Sequence, residues 1–321
     1  MNAIPNDVAM LALALLLDVT SRELPTRFHP TAWMGRTVAL ATRRHPSGSR
    51  AALLYGAATT LVITGGWAAA AFFAVRGLGD IHEAAYVLGG AALLSTTFAV
   101  KALHLAAFRV RNLLSAGSLD QVREHMAALV SRDTTRLTAS QAGAAAVESV
   151  SENMSDGFIG PWLAFALFGL PGAAAYRAIN TLDSMIGYHG RYELLGKASA
   201  RLDDLVNLLP SRITGILIVA ASALLPGQSA QGAWRVMGRD HHLTESPNAG
   251  WPMSAMAGAL GVQLEKAPET GGYSGGYSLG GPNRPVEPGD ITHSVRSMYL
   301  VAALGLPAGL ALTYLRSLYL W

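Results

Sequence analysis

Cysteine is missing from all 321 residues, which excludes disulfides, thiolate metal sites and a cysteine nucleophile. Charge is scarce too. Asp, Glu, Lys and Arg make up 14% of the chain, against roughly 25% in a soluble domain. The net charge is +3 and the sequence pI near 9.3, yet no Lys/Arg cluster interleaves with aromatics, so nucleic acid is not a partner. The sequence has no GxxxxGK[ST], no GxGxxG after a strand, no HExxH and no GxSxG, so a bound nucleotide is held without a P-loop. What the chain has instead is apolar residues, 51% of the total, with a mean hydropathy of +0.30. These proportions predict an all-α, polytopic integral membrane protein with polar cytoplasmic loops.

Taken in order, Val8 to Leu17 is ten apolar residues, short of the roughly 20 that cross a bilayer, and predicts an interfacial or buried helix. No Lys or Arg precedes it and Asp18 follows at once, so it reads as part of the mature protein rather than a signal peptide. Val19 to Arg50 is read as a loop with six arginines against one acid, in which His29-Pro30 fixes an extended turn. Residues 51–75 and 84–108 form the expected first hairpin of spans, and 213–225 and 298–315 are further span candidates. The basic stretches on either side of the hairpin place both on the cytoplasmic side by the positive-inside rule. Ser118 to Val130 is expected to be an amphipathic helix and Thr138 to Asn153 a helix of small residues. Residues 158–175 are uncharged but bounded by Gly160-Pro161 and by Gly169-Leu170-Pro171-Gly172, which predicts a re-entrant or spanning segment. Residues 226–297 read as a polar, Gly/Pro-rich loop, in which a doubled GGYS is a mobile loop or a backbone cradle. The whole of 1–321 is taken as one membrane-embedded catalytic domain.

The polar residues concentrate between Glu148 and Arg212, where charge within a membrane protein is costly unless it does something. Glu148, Glu152 and Asp156 are spaced i, i+4, i+8, along one face of a helix. A solvated acidic stripe is the plain alternative, but no base lies within a turn to offset the repulsion, and a divalent cation or a cationic substrate relieves it. Arg177, Asn180 and Ser184 share a second helical face, with Asp183 adjoining. Arg191 and Arg201 follow in loop or helix-start positions, then Asp203, Asp204 and Asn207. Arginine forks suit phosphate and carboxylate, and Asp and Asn can share a metal; the alternative is a polar face meeting lipid headgroups. Ser246-Pro247-Asn248-Ala249-Gly250-Trp251-Pro252 is a rigid turn entering a helix. His241 and His242 are read as ordinary surface residues.

ENMSDGFIGPW, PGAAAYRAINTLDSMIGY, RYELLGKASARLDDLVNLLPSRIT and SPNAGWPMSAMAGALG, in that order, resemble the adenosylcobinamide-phosphate synthase family of cobalamin biosynthesis, as does LLLD followed by HPTAWMGR. The resemblance covers almost the whole chain. It implies a multi-pass enzyme of the cell (inner) membrane, its active site facing the cytoplasm, working among other late corrin-pathway membrane enzymes. The implied reaction joins adenosylcobyric acid, a corrinoid, to aminopropanol or its phosphate through an amide bond, with ATP as co-substrate and Mg²⁺. On this resemblance Glu148, Glu152, Asp156, Asp183 and Asp204 are the candidate catalytic acids and bases, and Glu152, Asp183, Asp203 and Asp204 the candidate Mg²⁺ ligands. His29, Asn153, Arg177, Asn180, Tyr188, Arg191, Arg201, Asn207, Arg212, Ser246 and Asn248 are the candidate substrate contacts. Two other classes compete: a prenyltransferase holding Mg²⁺-diphosphate between Asn180/Asp183 and Asp203/Asp204/Asn207, and a non-enzymatic scaffold or transporter.

Overall fold

The computed structural model describes residues 5–21, 24–46, 48–126, 134–188, 192–266 and 276–319. In chain order its helices begin with α1 (Asn6–Thr20), α2 (Pro30–Thr42), α3 (Ser49–Ile81), α4 (Glu83–Ser95) and α5 (Val100–Ser115). Next come α6 (Leu119–Met126), α7 (Ala139–Met154), a π-helical turn (Ser155–Ile159), α8 (Gly160–Ile186) and α9 (Glu193–Val206). The chain closes with α10 (Leu208–Leu224), α11 (Ala230–Asp240), α12 (Gly250–Leu260), strands β1 (Leu264–Lys266) and β2 (Tyr277–Leu279), and α13 (Pro288–Tyr319). The all-α, polytopic expectation holds. Among the described residues, four stretches are long and apolar enough to cross a membrane: Ser49–Ile81, Glu83–Ser115, Ala139–Ile186 and Pro288–Tyr319. α9 and α10 pass the same test together, bent by 46°, which gives up to five.

Several expectations are revised. The basic segment 19–50 is not one loop, because α2 begins within it. His29 stays extended (φ −82°, ψ 118°), its ring accepts from the Thr31 N–H, and Pro30 occupies the first helical position, where its missing N–H costs nothing. The segment 226–297 is likewise not a loop, since it builds α11, α12 and a short antiparallel hairpin pairing Leu264 with Leu279. The second GGYS therefore ends in β2, while the first lies outside the described residues. Residues 158–175 belong to the helical stretch Ala139–Ile186. Gly160-Pro161 does not interrupt it; the irregularities are the π turn before Gly160 and Gly169, at φ 68° and ψ −163°, two residues ahead of Pro171. The 213–225 candidate extends to Leu208 but reaches span length only jointly with α9.

The chain divides into two compact units, each discontinuous in sequence. The first comprises Met1–Val100, Gly160–Val206 and Leu306–Trp321. In it α1 buries Met10, Leu11 and Ala14 and packs on α4, while Leu16 and Val19 on its other side stay exposed. Val38, Ile63, Leu182, Ile186 and Leu195 form a core drawn from α2, α3, α8 and α9. Helices in lipid gain little from hydrophobicity and pack by close backbone approach at small residues. That is the use of Gly56, where a Cβ would stand 2.0 Å from the Leu195 carbonyl oxygen, and of Gly196, 1.8 Å from that of Ile186.

The second unit comprises Lys101–Ile159 and Asn207–Gly305. α7 starts at a capping box, Thr138 and Gln141 each satisfying the other's backbone N–H, and is buried from Ala142 through Ser151. α11 crosses α12 where Gly232 meets Gly258. A Cβ on Gly232 would stand 2.4 Å from the Gly258 carbonyl oxygen, and one on Gly258 would stand 2.3 Å from that of Gly232. The hairpin is tied to α11 by Asp240, which is 3% exposed and accepts from Arg239 Nε at 2.5 Å, Arg239 Nη2 at 2.8 Å and the Gly280 N–H at 2.8 Å.

Burial pushes the Asp240 carboxyl upward, but the Arg239 and Gly280 hydrogen bonds and the nearby positive charge outweigh it and hold it below its ordinary 3.8. A carboxyl with a depressed folded-state pKa adds stability that is complete above the unfolded value and lost as pH falls through the folded one. Melting of the detergent-solubilised protein should therefore show an acid limb below about pH 4. Asp240→Asn should flatten that limb and cost about 2 kcal/mol at neutral pH; an unchanged acid limb would remove Asp240 as its source.

Candidate active site

The sequence-predicted polar residues fall into two groups, one in each unit. In the first unit they line α8 and α9, which pack together. Arg177 Nη1 donates to Asn180 Oδ1 at 3.4 Å, and Ser184 Oγ donates to the Asn180 carbonyl at 2.8 Å, so the i, i+3, i+7 face exists as read. Asp183 lies near the end of that helix, where its carbonyl accepts from the Gly187 N–H at 2.7 Å. Its carboxylate bends over Gly187, since a Cβ there would stand 2.0 Å from Asp183 Oδ1. Only glycine leaves this carboxylate its position. Tyr188 follows at once, and Arg191 lies outside the described residues. Arg201 is not at a helix start but inside α9, paired with Asp204 at 3.5 Å across one turn, with Asp203 adjoining. The arginine is largely exposed, so the pair adds well under 1 kcal/mol and serves orientation more than stability. His29 caps α2, as above.

In the second unit, Glu148 is buried within α7 at 3% exposure, with Glu152 and Asn153 half-buried one turn on and Asn153 Nδ2 donating to the Ser149 carbonyl at 2.9 Å. Past Glu152 the helix passes into the π turn, which begins at Ser155 and contains the half-buried Asp156. Such turns insert a residue and recur at functional sites.

α10 and α12 hold the tighter cluster. Asn207 is 1% exposed at the bend before α10, and its carbonyl accepts from Ser211 Oγ at 2.8 Å. Ser211 Oγ also donates to Asn248 Oδ1 at 3.3 Å. Arg212 Nη1 donates to Asn248 Oδ1 at 3.0 Å and to the Leu208 carbonyl at 2.7 Å. Ser246 fixes the turn by accepting from the N–H groups of Asn248 and Ala249, both at 3.3 Å. The Arg212 guanidinium lies over the Trp251 ring, 4.9 Å from its centroid. Gly250 lets the start of α12 come up against the end of α11: a Cβ on it would stand 1.9 Å from the His241 carbonyl oxygen.

His241, read from the sequence as a surface residue, stacks on Trp251 at 4.0 Å, and its Nδ1 donates to the Met237 carbonyl at 3.0 Å. A lone histidine after a helix carries no periodic signal, and only the fold brings it to the tryptophan. Among the described residues no three His, Asp or Glu side chains stand together as a metal-holding group.

Comparison with known proteins fits this arrangement. The family model CobD/Cbib protein matches residues 11–298. The chain is 41% identical over 284 residues to the cobalamin biosynthesis protein CobD of Dehalococcoides mccartyi, covering 88% of this chain and 90% of that one. It is 40% identical to the protein of that name from Geobacter metallireducens (91% and 92% covered) and 34% identical to that of Klebsiella pneumoniae (94% and 96%). No solved structure matches. With a family model spanning most of its length and relatives of this identity aligned almost end to end, the chain belongs to the CobD/Cbib protein family.

Proposed function

We propose that the chain is the cobinamide-phosphate synthase of cobalamin biosynthesis, joining adenosylcobyric acid to aminopropanol phosphate, or to the free amino alcohol, at the expense of ATP. The observation that carries the reading is the Asn207–Ser211–Arg212–Asn248–Trp251 cluster. It gathers an arginine, buried amides and an aromatic face from two of the segments that resemble the synthase family. The relatives named above are cobalamin biosynthesis proteins, which supports the pathway.

A corrin carboxylate and an amine do not condense spontaneously in water. Activation by phosphoryl transfer from ATP makes the carboxylate an acyl donor; the amine then attacks its carbon, phosphate leaves, and a proton leaves the nitrogen. Acids and arginines are the groups this needs. Arg177 and Arg201 supply positive charge where phosphate oxygens gather, and Asn180 orients Arg177. The oxygen donors Asp183, Asp203 and Asp204, on packed helices of one unit, suit Mg²⁺. That ion takes one or two carboxylates and completes its shell with phosphate and water, so no ready-made cluster of three acids is required. Mg²⁺ held there would neutralise charge on the transferred phosphoryl group. A carboxylate of this set accepts the amine proton. The arginines before and at the start of α3, Arg36, Arg43, Arg44 and Arg50, support a cytoplasmic face for that end of the helix in the inner membrane.

Membranes carrying the chain, given cobyric acid, the amino alcohol phosphate and ATP, should form cobinamide phosphate, and should leave a prenyl diphosphate unchanged. Turnover of the prenyl diphosphate would favour the prenyltransferase class, and no product from either would favour a scaffold.

A further inference from the structure

The Arg212–Trp251 pair has donors that the protein itself does not use. Among the described residues, every hydrogen bond Arg212 donates leaves from Nη1, to Leu208, Ser211 and Asn248, and no ion pair engages it. The guanidinium is thus fixed in orientation through one nitrogen, while its Nε–Nη2 edge, the edge that grips an oxyanion bidentately, is left open. Trp251 Nε1 is buried and, among the described residues, donates to nothing. A buried N–H without an acceptor is destabilising, and native proteins retain few of them. His241 packs against the indole and, with its Nδ1 committed to Met237, helps hold the ring in place.

These donors lie in two planes. The guanidinium sits over the indole face, 4.9 Å from the ring centroid, whereas the indole N–H points along the ring plane. A flat carboxylate satisfies two coplanar donors. A third donor from another plane calls for a tetrahedral anion with three oxygens. From this geometry we infer that Arg212 and Trp251 form a binding pair for a phosphomonoester, two oxygens on the arginine edge and one on the indole N–H. The phosphate is carried by the amino alcohol or by the nucleotide; those two carriers rest on the synthase reading, whereas the phosphate site itself does not.

Two variants test the pair in the purified, detergent-solubilised protein. Trp251→Phe keeps an aromatic ring but removes the N–H together with the larger indole surface, so its melting in detergent is measured beside its kinetics to check that the variant is folded. Arg212→Lys keeps the charge and loses the fork. If the amino alcohol carries the phosphate, each variant should raise KM for the amino alcohol phosphate on the order of tenfold or more. KM for ATP and for the unphosphorylated amino alcohol should then stay within about twofold. A rise in KM for ATP instead would assign the same phosphate site to the nucleotide. Wild-type values for both substrates in either variant would overturn the pair.

Titration with inorganic phosphate, followed by tryptophan fluorescence, reads the site without turnover. The wild type should respond, and Arg212→Lys, which keeps the indole as reporter, should lose that response. A protein that responds to phosphate but makes no cobinamide phosphate would sink the synthase reading and keep the site; one that makes product without any phosphate response would do the reverse.

Discussion

Asp183→Asn is expected to lower cobinamide-phosphate formation by about 10²–10³-fold while leaving the protein folded. The substitution keeps the shape of the side chain and removes its charge. In the proposed reaction that charge holds Mg²⁺ beside the transferred phosphoryl group. The position of the carboxylate depends on its neighbour: a Cβ on Gly187 would stand 2.0 Å from Asp183 Oδ1. Gly187→Ala must therefore turn Asp183 aside, and should lower activity in the same direction although no charge is lost. Near-normal turnover in Asp183→Asn membranes would take Asp183 out of the chemistry. Loss of activity in Gly187→Ala alone would reduce the site to a backbone requirement.

Arg316→Met should cost about 3 kcal/mol of stability, the largest structural effect expected of a single charged residue here. Arg316 is 6% exposed near the end of α13 and is held from three sides. Nη2 donates to Asp7 of α1, Nη1 donates to the Phe165 carbonyl of α8 at 2.5 Å, and the guanidinium faces the Phe165 ring at 5.5 Å. Tyr86 of α4 donates to the other Asp7 oxygen at 2.6 Å. One guanidinium thus ties α13 to α1 and α8, close to the break in α8 at Gly169, where carbonyls lose regular helical donors. Methionine fills a similar volume but leaves Asp7 charged without its cation. Because the cost is mostly that of the abandoned partner, Asp7→Asn combined with Arg316→Met should recover part of the loss. Thermal denaturation in detergent measures both. A single variant within about 0.5 kcal/mol of wild type would show the pair to be dispensable.

What could be read along the chain was what repeats locally. The apolar runs of α3 and α13, the small-residue helices α7 and α12, and the Arg177–Asn180–Ser184 face are patterns of period 3.6 or plain hydropathy, and the structure contains them. The turn at Ser246–Trp251 also followed from residue chemistry, since Ser, Pro and Asn at those spacings have few other uses. Features made by distant residues were not legible. Asp7, Tyr86 and Arg316 lie far apart in sequence, and nothing local to any of them announces the others. The π turn at Ser155–Ile159 has no compositional signature, so the sequence reads as regular helix through Asp156. α2 was hidden because Arg36 within it and the arginines on either side resemble those of a loop, and His241 because its contact with Trp251 requires α11 and α12 to be packed first.

The central claim is that a corrin carboxylate is activated by phosphoryl transfer and then captured by an amine. It is tested most directly by labelling that carboxylate with ¹⁸O and supplying purified protein with ATP and the amino alcohol phosphate. Activation as an acyl phosphate transfers one carboxylate oxygen to phosphorus, so the account predicts one ¹⁸O in the released phosphate for each amide formed. Amide formed with no label in phosphate, or formed equally well without ATP, would contradict it.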